Sequence, residues 1–398
     1  MIPVDAALVE FVRYLPFNPK TSRTSEAWGT PRYAAAILTH QENPKWIDLG
    51  EAAPIDQAVI EFRDELQNQQ NQLSEVQQRG QALYNLLMPE VQVELSNIRH
   101  LLIAPDSQLN LIPFAALVNP QNQYLGDIYT ISYLTSGRDL LRLQVEKSDR
   151  PIQQDAVIIA NSDLHGMHIE TEAIASFLQN ALLLKDSQAL KETLEQYSPT
   201  ILHIAAHGFF SRSTDNPALN ENPLLRCGLV LAGDNTERSD NEKVVLTALE
   251  VTGLNMRGTR LVVLSACETG LGGVLDGEGV YGLRRAFVIA GAESQMVSLW
   301  KVDDLPTTFL IIKFYDNLRQ QHSYPNLEAG SVAMALNQAQ LWLKNLIKGD
   351  LEKWIEEKQL PLDPTMRMNQ RRLYYKLEDD AKPFKSPFYW GAFCAISQ

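Results

Sequence analysis

LVVLSACETGLGG, at residues 261–273, is the stretch of sequence that decides the fold. Its apolar, β-branched first half is typical of a buried parallel strand, and this run ends at Ser265 and Ala266. Cys267 and a group of glycines follow, as expected where a strand surfaces at its carboxyl end and continues into a loop. Ligands of open α/β sheets bind outside the carboxyl ends of the strands. We therefore predict that Cys267 lies at the functional edge of an α/β sheet.

A second predicted strand, TILHIA at residues 200–205, ends in the same manner on His207 and Gly208. If the two strands are neighbours, the Cys267 sulfur and the His207 imidazole meet at the edge of the sheet. A thiol attacks as its thiolate and needs a base within hydrogen-bond reach, and His207 is the candidate for that base. His203 precedes it by four residues, so it points to the same side but deeper, and we predict a core residue there.

Composition bounds what the chain can do. Its 398 residues are enough for two or three domain-sized cores, with 45% hydrophobic and 21% charged residues as in ordinary globular proteins. A net charge of −13 argues against nucleic-acid binding, and no apolar run is long enough to span a bilayer. Three scattered cysteines and no signal peptide favour a reducing, cytoplasmic location with neither a disulfide framework nor a zinc site. We expect no metal or cofactor.

Residues 1–150 are predicted to form a small α/β unit of their own. The pattern indicates strands at 32–39, 45–49, 100–105, 111–117 and 129–134, and helix at 58–88 with a polar break within 67–78. No nucleophile lies beside a base here, and His100 is interpreted as structural. This half is therefore expected to support the other one.

Residues 151–398 alternate strands and helices. Predicted strands lie at 156–160, 182–185, 228–232, 295–300 and 388–396, and predicted helices at 169–178, 188–197, 280–290, 304–318 and 331–346. Thr247 and Glu250 match a capping box. Alternation of this kind predicts a mostly parallel sheet covered by helices on both faces.

Backbone amides beside glycines can stabilise the oxyanion of an acyl-transfer intermediate, and the amides of Gly208 and Cys267 are the candidates. Asp276, Glu278 and Asp304 are interpreted either as acids of a substrate pocket or as charges that complement the beginnings of helices. Trp300 fits pocket lining and core equally well.

Two long polar segments, residues 211–222 and 234–242, fit sites of self-cleavage or partner binding, although disorder is the simpler interpretation. The acids of the second segment lack the spacing of a calcium loop. A dinucleotide-binding loop is disfavoured because Leu275 stands where the pattern needs glycine, and no phosphate-binding loop follows. A nucleotide-binding domain is therefore the weakest alternative.

These motifs together closely resemble the CHAT domain, a caspase-like cysteine peptidase module often fused to TPR repeats. The resemblance rests on LHIAAHGFF at 202–210, PLLRCGLVLAG at 223–233, LVVLSACETGLGG at 261–273, SLWKVDD at 298–304 and SPFYWGAFCAIS at 386–397. RYAAAILT at 32–39 and HLLIAPDSQLNLIPFAAL at 100–117 extend it into the first half. No TPR array lies within these 398 residues.

The resemblance implies a caspase-hemoglobinase-like α/β fold with His207 and Cys267 as the catalytic dyad. It also implies that an inactive, pseudo-caspase-like half at 1–150 precedes an active peptidase half at 151–398. The oxyanion role of Gly208 and Cys267 agrees with caspase-type enzymes. We predict an endopeptidase that cleaves a partner protein at a restricted site, after Arg or Lys if the acids line the pocket. The alternative is a catalytically latent scaffold or regulatory module, and a TPR-containing partner is compatible with both.

Overall fold

The computed structural model describes residues 2–21, 27–41, 43–141, 154–160, 167–178, 180–184, 199–210, 222–232, 244–266, 269–275, 279–321, 327, 330–360, 362, 364–375 and 377–397. Contacts within the chain divide it into two compact units. The first consists of Met1–Arg142, Val274–Val280 and Gln398, and the second of Leu143–Gly273 and Tyr281–Ser397. Both contain strands and helices, as predicted for an α/β protein.

The strands of the first unit are β1 (Ala6–Tyr14), β2 (Arg32–Thr39), β3 (Lys45–Glu51), β4 (His100–Ala104) and β5 (Thr130–Tyr133). Its helices are α1 (Ala52–Leu66), α2 (Leu73–Leu87), α3 (Pro89–Val93) and α4 (Leu125–Ile128). The strands lie in the order β3-β2-β1-β4-β5, in which β1 is antiparallel to β2 and parallel to β4. Both α1 and α2 bury one apolar stripe, so the predicted helical region with a break between its two parts is confirmed.

Strand β1 is the longest element of the first unit that the sequence does not predict. Its run AALVEFVRY mixes buried apolar residues with Glu10 and Arg13, so neither strand nor helix periodicity is clean. Pairing with β2 along residues 7–14 and with β4 along residues 6–10 determines its conformation. Tertiary pairing thus outweighs the local pattern.

Residues 111–117 do not form the expected strand. Two 3₁₀ turns, Ser107–Leu111 and Phe114–Ala116, occupy this part of the chain. The Asp106 carboxylate caps the first turn by accepting a hydrogen bond from the Ser107 N–H at 2.7 Å. Pro113 lacks the N–H that a strand ladder requires, so the apolar character of this segment serves packing rather than strand pairing.

The second unit contains most of the chain's remaining elements. Its strands are β6 (Gln154–Ala160), β7 (Ala181–Leu184), β8 (Pro199–Ala205), β9 (His207–Phe210), β10 (Cys227–Ala232), β11 (Val244–Thr247), β12 (Leu261–Ser265), β15 (Ser294–Ser298) and β16 (Phe393–Ser397). Two short strands, β13 (Gly272–Leu275) and β14 (Gly279–Gly282), lie between β12 and β15 in the sequence. The helices are α5 (Met167–Phe177), α6 (Ala248–Thr252), α7 (Leu283–Ala290), α8 (Asp304–Gln321), α9 (Ser331–Asn345), α10 (Lys348–Glu357), α11 (Pro364–Tyr374) and α12 (Pro387–Trp390).

The main strands of the second unit lie in the order β16-β15-β12-β8-β6-β7. All the neighbouring pairs from β15 to β7 are parallel, whereas β16 is antiparallel to β15. Every residue of β8 and of β12 is buried, which requires cover on both faces of the sheet. The prediction of a mostly parallel sheet flanked by helices is therefore confirmed.

Two predicted boundaries in the second unit are wrong. The helix expected at 280–290 begins only at Leu283, because residues 279–282 form β14 and Gly282 is fully extended. A Cβ atom at Gly282 would lie 2.5 Å from the Leu271 carbonyl oxygen, so this close approach requires glycine. The strand expected at 388–396 starts later, at Phe393. Ser386 and Pro387 are good N-cap and N1 residues and begin the short helix α12 instead.

The capping box is confirmed. The Thr247 N–H donates to Glu250 Oε2 at 2.9 Å, and the Glu250 N–H donates to Thr247 Oγ1 at 3.2 Å. The helix predicted at 188–197 and the polar segments at 211–221 and 234–242 lie outside the described residues. Within the described ranges, no helix has both the length and the apolar character needed to cross a membrane.

Candidate active site

The two strands that end before the predicted dyad are direct neighbours. Strands β8 and β12 run parallel, in a register that begins with Ile201 opposite Leu261 and ends with Ala205 opposite Ser265. The predicted adjacency is therefore confirmed. His207 follows Ala205 by two residues, and Cys267 follows Ser265 by two residues in the sequence. Cys267 itself lies outside the described residues, and its neighbour Ala266 is buried.

His207 is held at the start of a second, smaller sheet. The chain bends at Ala206 and enters β9, which pairs antiparallel with β10 so that His207 lies opposite Val230 and Gly208 opposite Leu229. Strand β10 pairs in turn with β11. The four residues of β9 are half-buried, so His207 combines a fixed backbone with access to solvent.

Gly228 makes the close packing of this small sheet possible. A Cβ atom at this position would lie 2.5 Å from the Leu246 carbonyl oxygen and 2.9 Å from the ring of Phe209. Phe209 is the cross-strand partner of Gly228 and the second residue after His207. The glycine therefore allows β9 to approach β10 in the observed register.

Asp304 is the predicted acid that the structure brings near His207. It is the first residue of α8, and desolvation by the surrounding protein raises the pKa of its carboxyl group above 3.8, although the residue as a whole is exposed. The charge of Glu170 raises this pKa further, whereas His207 and Lys301 lower it. Asp304 is thus within electrostatic range of the candidate base.

A buried polar cluster lies beneath this edge and was not predicted. His203 Nε2 is 3.0 Å from Glu170 Oε1, and the two side chains are 0% and 3% exposed. Among the described residues neither of these two atoms has a partner in hydrogen-bond geometry. His203 Nδ1 forms a 3.2 Å hydrogen bond with the Tyr315 hydroxyl. The cluster connects β8 with α5 and α8.

The prediction that His203 is a core residue is confirmed, but its surroundings are polar. The sequence carried a signal for its partner, because Glu170 precedes Ile174 by four residues and so shares the buried face of α5.

The remaining predicted site residues divide into two groups. Trp300 is 2% exposed, and its Nε1–H donates to the Phe388 carbonyl oxygen at 3.2 Å. Asp276 and Glu278 lie outside the described residues, so their pocket role stays a prediction.

In the part of the chain that is described, no group of three or more His, Cys, Asp and Glu residues is arranged to hold a metal ion.

The family model described as "CHAT domain" matches residues 77–398 of this chain. This range covers the whole of the predicted second half and the last part of the first half, from residue 77 onward, and the predicted resemblance is confirmed. Comparison with curated proteins found no significant match.

Several solved structures resemble the chain at low sequence identity. A Saccharomyces cerevisiae separase–securin complex matches with a TM-score of 0.44 and 9% identity, over 85% of this chain and 29% of the separase chain. The Arg specific cysteine proteinase gingipain R matches with a TM-score of 0.40 and 10% identity, over 87% of this chain and 74% of that chain. A structure described only as a protease matches with a TM-score of 0.44 and 8% identity, over 87% and 75% of the two chains. The chain thus spans less than a third of the separase chain.

Proposed function

Because this chain belongs to the CHAT domain family, we propose that it is a cysteine endopeptidase in which His207 activates Cys267. Its substrate is a partner protein that it cleaves at a restricted site. The observation that carries the proposal is the parallel register that ends with Ala205 opposite Ser265.

The register supports the dyad because it places equal lengths of chain beyond the last pair. Neighbouring strands are about 4.8 Å apart, and each further residue advances about 3.3 Å along a strand. His207 and Cys267 each follow the pair by two residues. In our proposal both residues therefore lie beyond the same edge of the sheet, close enough for contact between sulfur and imidazole.

The proposed reaction begins when His207 takes the proton from the Cys267 thiol. The thiolate attacks the carbonyl carbon of the scissile peptide bond, forming a carbon–sulfur bond and an oxyanion. The Gly208 and Cys267 amides donate hydrogen bonds to this oxyanion. His207 then gives its proton to the leaving amine as the carbon–nitrogen bond breaks. Water, activated by His207, hydrolyses the acyl-thioester and restores the thiol.

Three acidic residues support our proposal of a basic P1 side chain. Asp304 lies within electrostatic range of His207, and Asp276 and Glu278 follow the cysteine segment in the sequence. In our proposal they attract the Arg or Lys of the substrate. The burial of Trp300 favours its core role over a direct contact with substrate.

The wider setting of the reaction is also a proposal. We place the enzyme in the cytoplasm, where three cysteines and an unprotected thiol nucleophile suit the reducing conditions. Residues 1–150 act as the inactive pseudo-caspase-like half, and 151–398 as the peptidase half. A TPR-containing or other regulatory partner presents the substrate or releases the activity.

Fluorogenic peptides with Arg, Lys, Leu or Asp at P1 test this function. We expect hydrolysis after Arg or Lys, with a loss of about 10²–10⁴-fold in His207→Ala and complete loss in Cys267→Ala. Cys227→Ala is the matched control and keeps wild-type rates, because Cys227 is a buried residue of β10. Hydrolysis that survives Cys267→Ala would refute the dyad. No hydrolysis of any peptide or protein would favour the scaffold alternative.

A further inference from the structure

Ser298, the last residue of β15, binds the chain on both sides of the candidate nucleophile. Its hydroxyl donates to the Ala266 carbonyl oxygen at 2.5 Å. Its N–H donates to Thr269 Oγ1 at 3.0 Å, and its carbonyl oxygen accepts a hydrogen bond from the Gly270 N–H at 2.7 Å. One residue therefore makes three hydrogen bonds to the residues that flank positions 267 and 268.

These bonds continue the sheet beyond the point where the two strands pair. Strands β12 and β15 pair through Val262 with Gln295 and Val263 with Met296. Two residues after Met296, the backbone of Ser298 bonds instead to the segment that follows the cysteine. Residues 269–270, which follow the cysteine, thus lie beside the end of β15, where a longer β12 would otherwise pair.

The contact is tight and excludes water. Ser298 is 0% exposed, Thr269 1% and Ala266 3%. A Cβ atom on Gly270 would lie 3.0 Å from the Ser298 carbonyl oxygen, so a side chain there would crowd this approach. Because water cannot replace a lost partner in such a site, each hydrogen bond constrains the segment more than an exposed one would.

We propose that Ser298 is a positioning residue that fixes the backbone on both sides of Cys267 and so aims the thiol at the substrate. This inference rests on the proposed peptidase function for its catalytic consequence. Its structural part, that Ser298 restrains residues 266–270, does not depend on that function. Ser298 acts through the backbone of the flanking residues, so its proposed role is positioning rather than catalysis.

The test compares Ser298→Ala with Ser294→Ala, the same change at the other end of β15. Hydrogen–deuterium exchange, read by mass spectrometry, follows the peptide that covers residues 266–275. We expect exchange about fivefold faster in Ser298→Ala and unchanged in Ser294→Ala, since the lost bond lowers the cost of local opening. For peptide hydrolysis we expect kcat to fall about tenfold while KM changes less than about twofold, because misplacing the nucleophile affects chemistry rather than binding.

Thr269→Val is the second variant, because it removes the acceptor of the Ser298 N–H with almost no change in volume. It is expected to show the same pattern, and it decides the question if Ser298→Ala does not fold. Unchanged exchange at 266–275 overturns the proposal. Unchanged kcat in an active protein overturns the positioning role even if exchange rises. A wild type without peptidase activity defeats the proposed function alone, and the exchange rates then decide whether Ser298 restrains this segment.

Discussion

Ala205 of β8 lies directly opposite Ser265 of β12, at the end of a register that pairs the two strands residue by residue. In the sequence, a member of the proposed dyad follows each of these two residues by two positions. The geometry of the dyad therefore depends on strand pairing deep in the sheet. Changes that disturb either strand end are expected to affect chemistry as well as stability.

Gly228→Ala is predicted to destabilise the small sheet that begins at His207. The new Cβ would lie 2.5 Å from the Leu246 carbonyl oxygen, so strand β10 must shift. We expect a loss of about 1–3 kcal/mol in the free energy of unfolding, measured by urea denaturation, together with reduced kcat.

Gly253→Ala provides the matched control for this change. Its nearest contact would be the Glu250 carbonyl oxygen at 3.4 Å, and its φ of −83° suits alanine. Stability is expected to stay within about 0.5 kcal/mol of the wild type. Equal effects of the two substitutions would contradict the role assigned to Gly228.

His203→Leu is predicted to destabilise the protein, because it removes the 3.0 Å contact to the buried Glu170 carboxyl group and the hydrogen bond to the Tyr315 hydroxyl. A buried polar group that loses its partner costs about 1–3 kcal/mol. The double variant His203→Leu/Glu170→Leu also removes the stranded carboxyl group and is expected to be more stable than His203→Leu. Urea denaturation of both proteins measures the difference, and a less stable double variant would show that the contact between His203 and Glu170 is unimportant.

Asp304→Asn is predicted to change stability in a pH-dependent manner. Because the folded protein raises the pKa of Asp304 above 3.8, this group's stabilising contribution is complete below that pH and is lost as pH rises through the raised pKa. The variant should therefore gain Tm relative to wild type at pH 7 but not at pH 3. Solvent screening at this exposed position keeps the gain below about 1 kcal/mol. A gain at pH 3 that disappears at pH 7 would reverse the sign we assign.

The same substitution removes a negative charge near His207. A nearby carboxylate favours the protonated imidazole, so its loss should move the acidic limb of the pH–kcat/KM profile to lower pH. An acidic limb that does not move would show that Asp304 has no influence on the base.

Much of the site's framework could be predicted because its signals are local. The runs before Cys267 and His207 are apolar and β-branched, as a fully buried parallel strand requires, and both proved to be strands. The pairing of Thr247 with Glu250 follows from residue type and spacing alone, and the structure contains both hydrogen bonds.

The features that escaped prediction depend on contacts distant in sequence. Strand β1 is formed by pairing with β2 and β4. The contact of Glu170 with His203 cannot be read from the sequence around either residue. The sequence shows Ser298 only as an ordinary strand residue, and its hydrogen bonds to Ala266 and Thr269 are seen only in the structure. A single sequence does not show which distant residue completes such a contact.

The central claim is that Cys267 is a nucleophile activated by His207, and covalent labelling tests it most directly. A peptidyl acyloxymethyl ketone with Arg at P1 is allowed to react, and mass spectrometry locates the label. Burial raises the pKa of the Cys227 thiol to about 11, and Cys394 is only 5% exposed. Neither thiol should therefore react in the folded protein.

We predict labelling at Cys267 alone, about 10²-fold slower or more in His207→Ala. His40→Ala, a change at an exposed histidine of the first unit, should react at the wild-type rate. Labelling of Cys267 at the same rate in His207→Ala, or labelling at Cys227 or Cys394 instead, would contradict the account.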